Sequence, residues 1–191
     1  MELNLTKDTM MLDLTKVAPS LTKLRGVLNW DVHPIHKGCL THGFDLDVFA
    51  FLTNSNGKIS GVSDVVYFNN KDAYNGAVVL PHDNRTGEGA DDEELITDVS
   101  KLPAHVTKVE HFVFLHEADI RKQNFSMIQN GMFTLYDQDD NLIQAYKLQQ
   151  FVNGTALHVG TLEKLLSGGW GFQPVGEAAQ ADPNDVMKAF V

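Results

Sequence analysis

Short apolar runs alternate with polar positions along most of this chain, and Gly, Pro, Asn and Asp separate them. Leu12-Asp13-Leu14-Thr15 and Leu21-Thr22-Lys23-Leu24 alternate around Ala18-Pro19-Ser20, which predicts two strands and a turn. Val27, Leu28 and Trp30 continue the second strand, with the Trp30 indole as a core plug. Further strands are predicted over Asp45–Leu52, Val62–Asn69, Gly76–Leu80, Leu95–Val99, Val106–Leu115, Phe133–Tyr136, Leu142–Leu148 and Thr155–Leu162. Gly168-Gly169-Trp170 turns into a last one. Asn54-Ser55-Asn56-Gly57, Lys101-Leu102-Pro103 and the Asp137–Asn141 run read as turns. Helical spacing stands out only at Asn184–Phe190, with Asp182-Pro183-Asn184 as its start signal. Roughly ten to twelve short strands at this spacing predict an all-β sandwich of two mainly antiparallel sheets with a short C-terminal helix. No linker or shift in composition divides residues 1–191, so one domain is expected.

Composition supports a real core: 43% of the 191 residues are hydrophobic and 21% are charged. A formal net charge of -10 argues against nucleic acid or an anionic membrane as partner and suits a cation. Cys39 is the single cysteine, so no internal disulfide can form. Met1–Thr15 lacks a basic segment followed by an apolar one, and no apolar run is long enough for a transmembrane segment, so a cytoplasmic protein is expected.

The densest chemistry lies between Asp83 and Glu94, where six carboxylates and one arginine are interrupted by Gly87 and Gly89. Such a loop can fold side chains and carbonyls around a cation, or it can be a solvated acidic run. Asp45 and Asp47 alternate onto one strand face, about 6.5 to 7 Å apart along the chain, a spacing at which two carboxylates can grip one ion or stand as two exposed strand-end acids. An oxygen-only ligand set favours calcium over zinc or magnesium. An EF-hand is excluded, because counting from Asp83 puts Arg85 third and Glu88 sixth, and from Asp137 puts Leu142 sixth. His33, His36, Cys39 and His42 recur every three residues and are candidates for zinc or copper, or simply a solvent loop. His116 is followed four residues later by Ile120, which excludes a zincin helix. No nucleophile elbow, P-loop or dinucleotide fingerprint is present, and no enzymatic activity is expected. Metal-assisted hydrolysis through Asp45 and Asp47 is the alternative in that class.

Taken together, Leu21-Thr-Lys23, Trp30-Asp31, Phe44-Asp-Leu-Asp47, Tyr67-Phe-Asn-Asn70, Asp83-Asn-Arg-Thr-Gly-Glu-Gly89, Asp91-Asp-Glu93, His116-Glu-Ala118, Gln123-Asn-Phe125 and Trp170–Gly176 resemble the TerD family in order and over nearly the whole chain. The resemblance implies a calcium-binding β-sandwich holding two ions between the Asp-Leu-Asp strand and the acidic loop. Position by position it points to Asp45, Asp47, Asp83, Asn84, Thr86, Gly87, Glu88, Asp91, Asp92 and Glu93. The loop is one residue shorter than the family's between Gly89 and Asp91, and the histidine tract is unlike it. The family's association with tellurite and chemical-stress resistance implies a non-catalytic, calcium-dependent module that docks to other proteins of a stress-resistance complex. The alternative is direct sequestration of tellurite or a transition metal through Cys39 with His33, His36 and His42.

Overall fold

In a computed structural model, which describes residues 11–32, 43–85 and 93–191, the alternation resolves into two six-stranded sheets that enclose one main core. The first sheet runs in the order β1 (Leu12–Asp13), β12 (Trp170–Ala179), β11 (Ala156–Lys164), β8 (Lys108–Leu115), β3 (Leu46–Thr53) and β4 (Val65–Val66). The second runs β10 (Leu142–Lys147), β9 (Ile128–Asp137), β2 (Lys23–Val32), β7 (Glu93–Asp98), β6 (Val78–Val79) and β5 (Asp72–Ala73). Every strand pair is antiparallel. The expected all-β sandwich is therefore present.

The central strands owe their place to alternation. Leu46, Val48, Ala50 and Leu52 of β3 turn inward with Val109, Val113 and Leu115 of β8, and they meet Leu24, Leu28, Leu95, Phe133 and Leu135 of the other sheet. All eight residues of β3 are buried, because the opposite face is covered as well. There Phe49, Phe51, Phe112 and Phe114 form a second apolar cluster that Val186, Met187 and Phe190 of the C-terminal segment close over. Phe190 stacks on Phe51 at 5.0 Å, and its carbonyl accepts from the Ile59 N–H at 2.8 Å. Trp30 is a core residue as expected, and its Nε1 donates to the Phe44 carbonyl at 3.1 Å.

Three expectations are corrected. Leu14 and Thr15 leave the first strand for a single helical turn, α1 (Leu14–Val17), since the Asp13 carboxylate accepts from the Thr15 N–H and caps it. The strand expected over Val62–Asn69 keeps only β4. Buried Asp64 takes the Ser60 N–H at 2.6 Å and the Tyr74 hydroxyl at 2.5 Å, and this binds residues 62–64 into a tight turn instead. The strand expected over Gly76–Leu80 keeps only β6, because Gly76 lies in the left-handed region at φ 85 and belongs to the preceding turn. A turn of helix unannounced by periodicity, α2 (Ala118–Arg121), follows β8, and the expected C-terminal helix is α3 (Pro183–Met187), capped by Asp182 through the Asp185 N–H at 2.8 Å.

Candidate metal centre

Asp47 shares the outer face of β3 with Phe49 and Phe51, one strand period away from Asp45 just before the strand. The ladder Leu46↔Leu115 continues past the end of β8, where the His116 N–H donates to the Asp45 carbonyl at 2.8 Å. That pairing carries the imidazole to Asp47, with Nδ1 3.1 Å from Oδ2. Glu93 arrives from the other sheet as the first residue of β7. Because β4 covers β3 only at Ala50 and Phe51, the Val48 N–H lies beyond its reach and donates to Glu93 Oε2 at 2.6 Å. Asp83 enters from the irregular segment after β6. Ligand atoms of Asp47, Asp83 and Glu93 lie within 4.8 Å of one another.

Asp47 and Asp83 open into a cavity of about 500 Å³ whose walls also include Asp45, Arg85, His116 and Arg121, while Glu93 is fully buried and does not line it. Arg121 Nη1 is 3.8 Å from Asp45 Oδ2, while its Nη2 is held at 3.1 Å by Glu117. Arg85 Nε lies 3.3 Å from Asp83. Burial pushes the Glu93 carboxyl up to about 10, helped by the charges of Asp47 and Asp83 and opposed by the Val48 N–H. Burial and the charge of Asp45 push Asp47 up to about 7, against the pull of His116. Asp45 is raised as well, again by burial, with His116 and Arg121 opposing. Two acceptors here, Asp45 Oδ1 and Glu93 Oε1, are buried without a hydrogen-bond partner among the described residues. A buried acceptor left in this state is costly, and four acids so close repel one another.

Of the residues expected to bind an ion, the structure brings together Asp45, Asp47, Asp83 and Glu93. Asn84 follows Asp83, half-buried. Thr86, Gly87, Glu88, Asp91 and Asp92 lie outside the described residues, as do His33, His36, Cys39 and His42. Glu93 and Glu94 belong to a strand and not to the loop in which the sequence reading placed them. Glu94 turns away to the Arg25 guanidinium at 3.0 Å. Sequence reasoning missed Arg121, Arg85 and the part played by His116. For His116 the His-Glu-Ala string was a signal, but Arg121 had none.

Two packed antiparallel sheets with buried, unsatisfied carboxylates at one end define the class: a β-sandwich with a candidate cation-binding end. Residues 1–190 match the model of the TerD domain, and the chain belongs to the TerD family. It is 36% identical to the tellurium resistance protein TerD of Serratia marcescens, covering 86% of this chain and 84% of that protein. It is 34% identical to general stress protein 16U of Bacillus subtilis, covering 88% and 86%. A crystal structure described as a homologue of telluride resistance protein from Streptomyces coelicolor A3(2) superposes with a TM-score of 0.73 at 21% identity, over 86% of this chain and 94% of that one. No helix among the described residues is long and apolar enough to cross a membrane.

Proposed function

We propose that this chain is a calcium-binding stress-response module that acts by binding and not by catalysis. The observation that carries the reading is the pair of buried, partnerless acceptors, Asp45 Oδ1 and Glu93 Oε1, in a pocket of acids whose burial opposes their ionisation. A cation supplies what they lack. Three carboxylate oxygens within 4.8 Å of one another are close enough for one cation to reach them all, and an all-oxygen ligand set suits calcium. Asp47, Asp83 and Glu93 would hold the ion, with Asp45 beside them. The bound cation supplies positive charge that offsets their mutual repulsion and locks the start of β3 to β7.

The polar groups around the pocket favour holding over turnover, since His116 is engaged by Asp47, Arg121 by Glu117 and Arg85 by Asp83. A role in tellurium or general stress resistance follows the names of the relatives, and docking to other proteins is how we propose that a non-catalytic module acts. Thermal melts in calcium, in magnesium and in chelator test the ion. The melting temperature rises in calcium, since a ligand of the folded state stabilises it by RT ln(1 + [L]/Kd), about 2.7 kcal/mol at one hundred times Kd. Identical melts in calcium and chelator would sink the reading.

A further inference from the structure

A second concavity, of about 410 Å³, lies beside the acidic cavity on the outer face of β3 and β8, between α2 and α3. Its size falls within the usual range of small-ligand sites, about 300 to 1,000 Å³, and is too small for a folded partner to enter. Tyr67, Phe68, Phe114 and Met187 give it an apolar wall. Ile120 at its edge stands 79% exposed on a helix of only four residues. An isoleucine so placed covers little among the described residues.

Carboxylates outnumber the basic groups around this apolar surface. Asp47, Glu117, Asp119 and Asp182 line the groove together with His116, which is engaged with Asp47, and no lysine or arginine does so among the described residues. Glu117 is paired with Arg121, and Asp47 with His116. Asp182 uses Oδ1 to cap α3, and Asp119 makes no ion pair among the described residues. Aromatic walls next to unneutralised carboxylates attract a cation that also carries apolar surface, because the rings and the acids act on it in the same sense. An anion would meet repulsion from Asp119 and Asp182, and a neutral apolar molecule would gain nothing from these acids.

We propose that this groove binds a small organic cation, an amine with an aromatic or branched apolar body, its ammonium group at Asp119 and Asp182 and its body against Tyr67, Phe114 and Ile120. The site stands on different residues from the proposed calcium ligands except Asp47, so it does not require that reading.

The test is a titration of the full chain, followed by amide NMR, with three probes of matched shape: phenethylammonium, 2-phenylethanol and phenylacetate. It is run once in calcium and once in chelator, so that failure of the calcium reading leaves it intact. Phenethylammonium is expected to bind most tightly and phenylacetate least, with shifts centred on Tyr67, Ile120 and Met187. Asp119→Asn and Asp182→Asn each weaken the amine about two- to fivefold and leave 2-phenylethanol unchanged. Asparagine caps a helix as well as aspartate, so the second variant keeps α3 in place. No binding of the amine, equal binding of the three probes, or amine binding unchanged in both variants overturns the proposal.

Discussion

The paired strands β3 and β8 carry buried acids at both ends of their outer face, and the two ends behave in opposite ways. At one end Asp47 lies opposite Phe114, with Asp45, Asp83 and Glu93 close by. At the other, Glu110 lies opposite Phe51. Burial pushes Glu110 upward as well, yet His158 at 3.1 Å and the Thr161 hydroxyl more than offset it and hold the carboxyl below its ordinary range. His158 is itself stacked on Phe112 at 4.3 Å, which fixes the donor in place. Burial alone therefore does not make a cation site. The balance of donors and acceptors does: Glu110 has two side-chain donors to itself, whereas the four acids at the far end share the Val48 N–H, His116, Arg85 and a distant Arg121, and Asp45 Oδ1 and Glu93 Oε1 find no partner among the described residues. One end is complete without help, and the other is the end at which we propose that a cation binds.

Glu93→Gln separates the two ends most sharply. In chelator at neutral pH it should stabilise the protein by roughly 3 kcal/mol, because the unfolded chain gains by ionising Glu93 and the folded chain does not. Urea unfolding in chelator measures this, and a loss of stability there would break the comparison. His111, on the inner face beside Glu110, is a buried group with an unpartnered Nδ1 and is pushed down to about 4, mainly by burial, with Glu110 opposing and His158 reinforcing. Between pH 6.5 and 4 the unfolded chain takes up a proton that the folded imidazole refuses, so this site costs about 2 to 3 kcal/mol as pH falls through that window. His111→Leu should remove that slope from unfolding midpoints measured across the range.

Glu110→Gln should cost about 2 kcal/mol, and by the same amount in calcium as in chelator, since it weakens hydrogen bonds that involve no ion. A calcium-dependent loss would place Glu110 in the wrong category. The smallest effect belongs to the partly exposed pair Lys108–Glu163 next to it, at 3.3 Å. Lys108→Ala should change stability by less than about 0.5 kcal/mol.

The sandwich was legible because apolar alternation and turn residues are local signals, and β3 and β8 followed them closely. Asp45 and Asp47 were legible for the same reason, since alternation alone puts both on one face. Glu93 stood in the acidic run, but the apolar residues after it gave no sign that the strand begins at the glutamate. Its position follows from the open edge of β3 beyond β4, and β4 is short because Asp64 binds residues 62–64 into a turn. Arg121 and His116 depend on a four-residue helix, too short to show a period, and on a ladder between residues 69 apart. His158 and Thr161 reach Glu110 across 48 and 51 residues, and nothing near Glu110 in the sequence announces them.

Calorimetric titration of calcium into the wild-type protein, Glu93→Gln and Glu110→Gln tests the central claim most directly. Saturable heat is expected for the wild type, with the same affinity in Glu110→Gln and loss of at least one binding step in Glu93→Gln. Absence of heat in the wild type, or calcium binding that Glu93→Gln leaves unchanged, would contradict it.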